Sequence, residues 1–163
     1  YEYDISVLSD YDLACPRKPV RLINTEQNGE LLLNVPHREF LDLSLIYYID
    51  MTSDKNKDVS IFCTRICNSQ MAKWKITEQE LYQQAMTNME ICDEGCIISI
   101  WDLFRDRYDA DYKEDTEKDE TYYIMTNKHL IYGANQLLMK NKIKDFAAYM
   151  EKDFYKIPSS VNE

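Results

Sequence analysis

Glycine is scarce in this chain: three in 163 residues, Gly29, Gly95 and Gly133. None forms a Gly-x-Gly pair, which excludes the backbone loops that cradle nucleotide phosphates. Histidine is scarcer still, with only His37 and His129, and neither has an identifiable nucleophile to activate as a general base. A Gly-x-Ser-x-Gly nucleophile elbow is absent, and so is the Asp-x-Asp-x-Asp-Gly loop of calcium sites. No apolar run approaches the ~18 residues of a membrane span; the longest surrounds Cys96–Trp101. Positive charge is also short, with 19 Lys and Arg against 29 Asp and Glu and a net charge of -10. That field repels a phosphate backbone and an anionic lipid surface, so neither nucleic acid nor a membrane is expected as a partner.

What is present is a globular composition. Hydrophobic residues make up 45%, an ordinary share, and a chain of this length buries roughly 70% of its unfolded surface. Thirteen tyrosines supply flat apolar area with a polar tip, suited to half-buried sheets and to contact surfaces. The five cysteines are odd in number, and reduced thiols in a cytoplasmic protein account for them most simply. The chain begins with Tyr1 and ends at Glu163 just past an expected strand. It therefore reads as one α+β domain over residues 1–163, excised from a longer protein, with no signal-peptide pattern.

Pro16 and Pro19 bracket a connector, after which Val20–Asn24 reads as a strand. Thr25–Asn34 reads as a helical turn or two, weakened by Gly29 and closed by Pro36, with a polar connector at His37. Leu41, Leu43, Leu45, Tyr47, Ile49 and Met51 occupy every second position, the pattern of a strand with one buried face. Thr52–Lys57 reads as a polar turn. Val59, Ile61 and Cys63 alternate again and predict a hairpin partner. Asn68–Trp74 predicts a short helix. Thr77-Glu-Gln-Glu80 is a capping box opening a helix with Leu81, Tyr82, Ala85 and Met89 on one face. Ser99-Ile-Trp-Asp102 opens another, through Tyr108. Residues 109–120 hold seven acidic residues and two lysines and read as a solvated loop or insertion. Tyr122–Met125 and Tyr132–Leu138 read as two strands joined by a turn at Asn127-Lys-His129. Ile143, Phe146, Ala147 and Met150 mark a helix, and Phe154–Ile157 a closing strand. The expected fold is α+β: a mostly antiparallel sheet of five to six strands with helices packed against it, the closing strand allowing one parallel neighbour.

Several blocks resemble a bacterial domain-of-unknown-function family of the DUF5688 type. They are Tyr123-Ile-Met-Thr-Asn-Lys, Tyr132-Gly-Ala, Asp145-Phe-Ala and Phe154 through Pro158-Ser-Ser to Glu163. An earlier block, Leu22-Ile-Asn through Val35-Pro-His-Arg-Glu-Phe-Leu-Asp-Leu43, is similar as well, and so is Asn68–Trp74 with the helix that follows. The resemblance covers most of residues 20–163 and implies a gut bacterium as host, an additional N-terminal region and a short C-terminal tail. It implies no activity. Such members commonly carry a histidine where this chain has Asn162, so chemistry that used that histidine is not available here.

Four groups of residues carry the candidate chemistry. Cys63-x3-Cys67 and Cys92-x3-Cys96 could close a tetrahedral zinc site with four thiolates, but knuckles use tighter Cys-x2-Cys pairs and Cys63 falls in an expected strand. Metal-free thiols are therefore expected, with zinc at Cys63, Cys67, Cys92 and Cys96 as the alternative, and no cofactor. Asp102, Asp106 and Asp109 share a helix face, where the interleaved Arg105 and Arg107 make a salt-bridged surface the simpler account. Ser159 and Ser160 follow Pro158 as serines do where strands end. An enzyme would have to assemble its site from dispersed polar residues, Asn68, Asn127, Ser159, Ser160 and Glu163. Against it stands a non-enzymatic interaction domain, binding another protein or itself, and a third reading is an acidic mimic of nucleic acid.

Overall fold

The computed structural model describes residues 5–14, 19–51, 63–92, 95–108, 122–127, 133–151 and 153–156. They fall in two units, one within Tyr1–Asp93 and one within Glu94–Ser160. The acidic segment 109–120, the turns expected at Thr52–Lys57 and around Lys128-His129, and residues 157–163 with Ser159, Ser160, Asn162 and Glu163 lie outside the described residues.

The first unit is organised around one strand. A 3₁₀ turn at Ile5–Leu8 and helix α1 (Tyr11–Ala14) come first, followed by strand β1 (Val20–Asn24), helix α2 (Gly29–Leu32) and strands β2 (His37–Phe40), β3 (Leu43–Asp50) and β4 (Cys63–Arg65). Helices α3 (Asn68–Trp74) and α4 (Glu78–Cys92) complete it. β3 is central, with β1 on one edge and β2 on the other, both antiparallel to it. β4 also pairs with β3, Asp50 opposite Cys63, which is the hairpin partner that the alternation at Cys63 predicts. The Tyr48 N–H donates to Pro19 O, while Tyr47 O accepts from the Ile66 N–H. Successive residues of a strand direct their backbone groups to opposite edges, so β4 lies on the edge away from β1 and follows β2 along it.

The alternation from Leu41 predicts one buried face, but β3 is buried on both. Leu43 through Ile49 are all buried, and Tyr47, Leu45, Ile46 and Ile49 are at most 1% exposed. One face carries Ile46 and Tyr48, which pack with Ile23, Leu32 and Val35 in a cluster under α2. Ser44 lies on that face with its hydroxyl in a 2.9 Å bond to the Thr25 hydroxyl, so its burial strands no polar group. The other face carries Leu43, Leu45, Tyr47 and Ile49. α4 is tied to it and buries Leu81, Ala85 and Met89, the stripe that the capping-box helix predicts. Gly29, expected to weaken a helix interior, instead opens α2.

β2 falls where a polar connector is expected. Phe40 opposite Leu43 leaves a two-residue turn, Leu41-Asp42. Leu41 sits there in the left-handed region, φ 58°, and 88% exposed. Glycine is the usual residue at such a turn.

The second unit has strand β5 (Cys96–Ser99), helix α5 (Ile100–Tyr108), strand β6 (Tyr123–Thr126), a 3₁₀ helix at Gly133–Leu138 and helix α6 (Lys140–Met150). β5 and β6 pair antiparallel, Cys96 opposite Thr126, and the Ile100 N–H continues the ladder to Tyr122 O. The fold is thus α+β, and every described strand pair is antiparallel. The expected single sheet of five to six strands is corrected: the described strands divide into a sheet of four and a sheet of two. Two further expectations change. Gly133–Leu138 is 3₁₀ rather than strand; Gly-Ala-Asn-Gln-Leu-Leu has no β-branched residue to favour a pleated backbone. Residues 153–156 form no strand, so the parallel neighbour is not among the described residues. Phe154 instead packs edge-on against Phe146, 5.3 Å between ring centres, and Tyr123 does the same at 4.9 Å. The Ile143, Phe146, Ala147 and Met150 stripe on α6 is half-buried.

Two outcomes test this packing by urea denaturation. Ile49→Ala removes buried methyls from the middle of β3 and should cost about 2–5 kcal/mol. Leu41→Gly should stabilise by about 0.5–1 kcal/mol, because the relief of left-handed strain exceeds the backbone entropy that glycine loses.

Candidate functional site

The densest polar cluster forms where the first turn of α4 meets the sheet. Its position follows from the capping box. The Thr77 N–H donates to Glu80 Oε2 at 2.7 Å, the Glu80 N–H donates to Thr77 Oγ1 at 3.3 Å, and the Thr77 hydroxyl donates to the same carboxylate at 2.8 Å. These bonds from Thr77 pull the Glu80 carboxyl below its usual range. They also fix Glu78 as the first helical residue. From the sheet, Arg38 of β2 lies opposite Leu45 and therefore diagonal to Tyr47 on one face.

Glu78 joins both. Arg38 Nε donates to Glu78 Oε1 at 3.1 Å and its terminal nitrogen to Oε2 at 2.6 Å. The Tyr47 hydroxyl donates to Glu78 Oε1. The same Arg38 nitrogen reaches Gln79 Oε1 at 2.6 Å, and the guanidinium lies 3.9 Å above the ring of Tyr82, one turn along α4. Burial pushes the Glu78 carboxyl up, but the hydrogen bonds from Arg38 and Tyr47, with the charges of Arg38 and His37, hold it below the usual carboxylate range. Burial, and then the bond to Glu78, drive the Tyr47 phenol far above its ordinary value. The cluster thus holds an ionised carboxylate with its acceptors committed, a phenol that stays protonated and a guanidinium gripped on three sides. None of these takes up or releases a proton near neutrality. Chemically the arrangement is a clasp of helix to sheet.

The residues singled out from the sequence are placed apart from it. Asn68 opens α3, where its N–H donates to Asn34 O at 3.0 Å and its side-chain amide to Leu33 O at 3.2 Å; it holds the chain in register. Asn127 follows β6 in the second unit. Ser159, Ser160 and Glu163 lie outside the described residues, as does His129. His37 is exposed, with Nδ1 3.1 Å from Val35 O. Of the cysteines, Cys63 packs against the cluster under α2, and burial together with the nearby Asp50 charge pushes its thiol up to about 11, an unreactive state. The Cys67 N–H is capped by Gln70 Oε1 at 2.8 Å. Cys92 ends α4, and Cys96 begins β5 in the other unit. Among the described residues no three His, Cys, Asp or Glu gather as a metal site would require. Asp102 is exposed on α5, and Asp109 lies outside the described residues.

Sequence reasoning did not find the clasp. Glu78 reads there only as a spacer in the capping box, and Arg38 as part of a connector. The available signal was Arg38 alternating with exposed His37 and Glu39 before a strongly apolar strand.

The second unit has a polar knot of its own. Gln136 and Thr126 are each 4% exposed, and Lys142 Nζ donates to Gly95 O at 3.4 Å. Gly95 lies so close that an added Cβ would run into the side chains of Gln136 and Lys142, and one on Gly133 would meet Met125 O at 2.7 Å. Two of the three glycines are therefore places of close approach rather than free joints.

Antiparallel sheets carrying helices, with the polar groups spent on holding them together, define an α+β protein without a recognisable reaction centre among the described residues. The chain belongs to the family of unknown function DUF5688, whose model it matches over residues 1–163. No curated protein and no solved structure matches it. No helix among the described residues is long and apolar enough to cross a membrane.

The clasp has a pH signature. The folded carboxyl of Glu78 lies below its unfolded value, so its contribution is present above about pH 4.3, the ordinary glutamate value, and is lost as pH falls through the folded value. Glu78→Gln should destabilise by about 1–3 kcal/mol at pH 7. In urea melts taken from pH 7 to pH 3 its deficit against the unaltered chain should shrink steadily.

Proposed function

We propose that this chain is a non-enzymatic protein-interaction domain of a bacterial cytoplasmic protein. The observation that carries the reading is a division of labour among the side chains. The polar groups with the strongest geometry, Arg38, Tyr47 and Glu78, are spent on internal cohesion. Large aromatic side chains meanwhile reach solvent in the second unit: Trp101 and Phe104 on α5, Tyr122 beside its start, Tyr149 on α6, and Tyr155. Trp101 and Phe104 lie 6.5 Å apart between ring centres, three residues apart on one face. Aromatic side chains at low entropic cost are what recognition surfaces use. The net charge of -10 supports protein over nucleic acid as the partner.

The test is photocrosslinking in the host, with a benzophenone side chain at Phe104 and, as a control, at exposed Glu30 of α2. Discrete adducts at position 104 and none at position 30 are expected. Equal or absent labelling at both positions would count against a recognition surface there.

A further inference from the structure

β2 is an open sheet edge with unusual self-complementarity. Tyr47 directs its backbone groups to the side of β4, and Leu45 and Leu43 direct theirs the same way, towards Arg38 and Phe40. Strand alternation then turns the N–H and C=O of His37 and Glu39 outward, and both residues are exposed. No strand pairs with that side of β2 among the described residues. Short charged edge strands commonly guard against pairing. What distinguishes β2 is that its two outward residues carry complementary side chains, an imidazole and a carboxylate, placed symmetrically about Arg38.

We propose that β2 is a self-association edge: two copies of this chain pair their β2 strands antiparallel about a two-fold axis through Arg38. His37 of each copy then faces Glu39 of the other as a hydrogen-bonded pair, which sets the imidazole Nε2 beside the partner carboxylate while Nδ1 stays on Val35 O. An isologous contact of this kind closes at two copies and joins two four-stranded sheets into one of eight. Arg38 meets its symmetry mate on the face below, where each guanidinium already rests on its own Glu78 and Gln79; the like charges are neutralised before they meet. The same register carries the exposed turn residue Leu41 alongside Val35 and Pro36 of the second copy. Four-residue strands bury little area, well under the roughly 1,000 Å² of a durable interface, so the dimer is weak and concentration-dependent. The inference rests on the reading of the chain as an association domain and names one partner and one surface for it.

Sedimentation velocity over a hundredfold range of concentration tests it. The mean mass should rise towards twice that of the monomer. Glu39→Pro removes only an outward N–H, so it should leave the circular dichroism spectrum intact while weakening the dimer at least tenfold. If that variant fails to fold, the charge series decides. Glu39→Lys should weaken dimerisation, and adding His37→Glu should restore it, since glutamate then faces lysine across the axis. A chain that stays monomeric throughout, or a dimer indifferent to the charge series, overturns the proposal. Crosslinks at Phe104 in a monomeric chain would leave the interaction reading standing without this edge.

Discussion

Everything in the first unit depends on β3 being covered on both faces. Seven consecutive residues, Leu43 to Ile49, are removed from water, and such a strand is stable only if something apolar lies above and below it. α2 with Val35 closes one side. α4 closes the other, and its attachment is set by Glu78, which accepts from a strand on the sheet's edge and from the central strand at once. The carboxylate therefore does two jobs that are usually separate. It sits at the positive end of a helix dipole, and it satisfies the polar tip of a tyrosine whose ring is needed in the core. Without an acceptor there, Tyr47 would carry an unsatisfied hydroxyl into a buried layer.

The second unit is built differently. Among its described residues no apolar side chain is fully buried; the sealed positions are polar, Thr126 and Gln136. Cohesion comes from aromatic edges meeting at Phe146 and from close backbone approach at Gly95 and Gly133. A unit with this much partly exposed aromatic surface gains most from a neighbouring surface that covers it, whereas in the first unit the apolar side chains of β3 are already covered from within.

Much of the local architecture was legible in the sequence. Val20–Asn24, Asn68–Trp74 and the helix opened by Thr77 stand where propensity and capping chemistry put them, because those signals act within a few residues. The stripe on α6 was legible for the same reason. The misreadings share a cause. The alternation from Leu41 leaves Ser44 on the face opposite the expected core, and nothing local shows its burial because its partner, Thr25, is nineteen positions away. His37–Phe40 looked like a connector because charge dominates its pattern, although pairing with β3 makes it a strand. The strands expected at Tyr132–Leu138 and Phe154–Ile157 rest on apolar content, and among their described residues no hydrogen-bonding neighbour makes them strands.

By itself the sequence determined the class of the fold, the absence of phosphate loops and nucleophile elbows, the acidic field and the ends of the best helices, since each is a matter of composition or of short-range chemistry. Tertiary structure alone decided which face of β3 meets which helix, that Arg38 and Glu78 meet across forty residues, and which edge of the sheet stays open. Those outcomes arise from burial shared between distant segments, and a hydrogen-bond donor's partner is fixed only when the chain has closed around both.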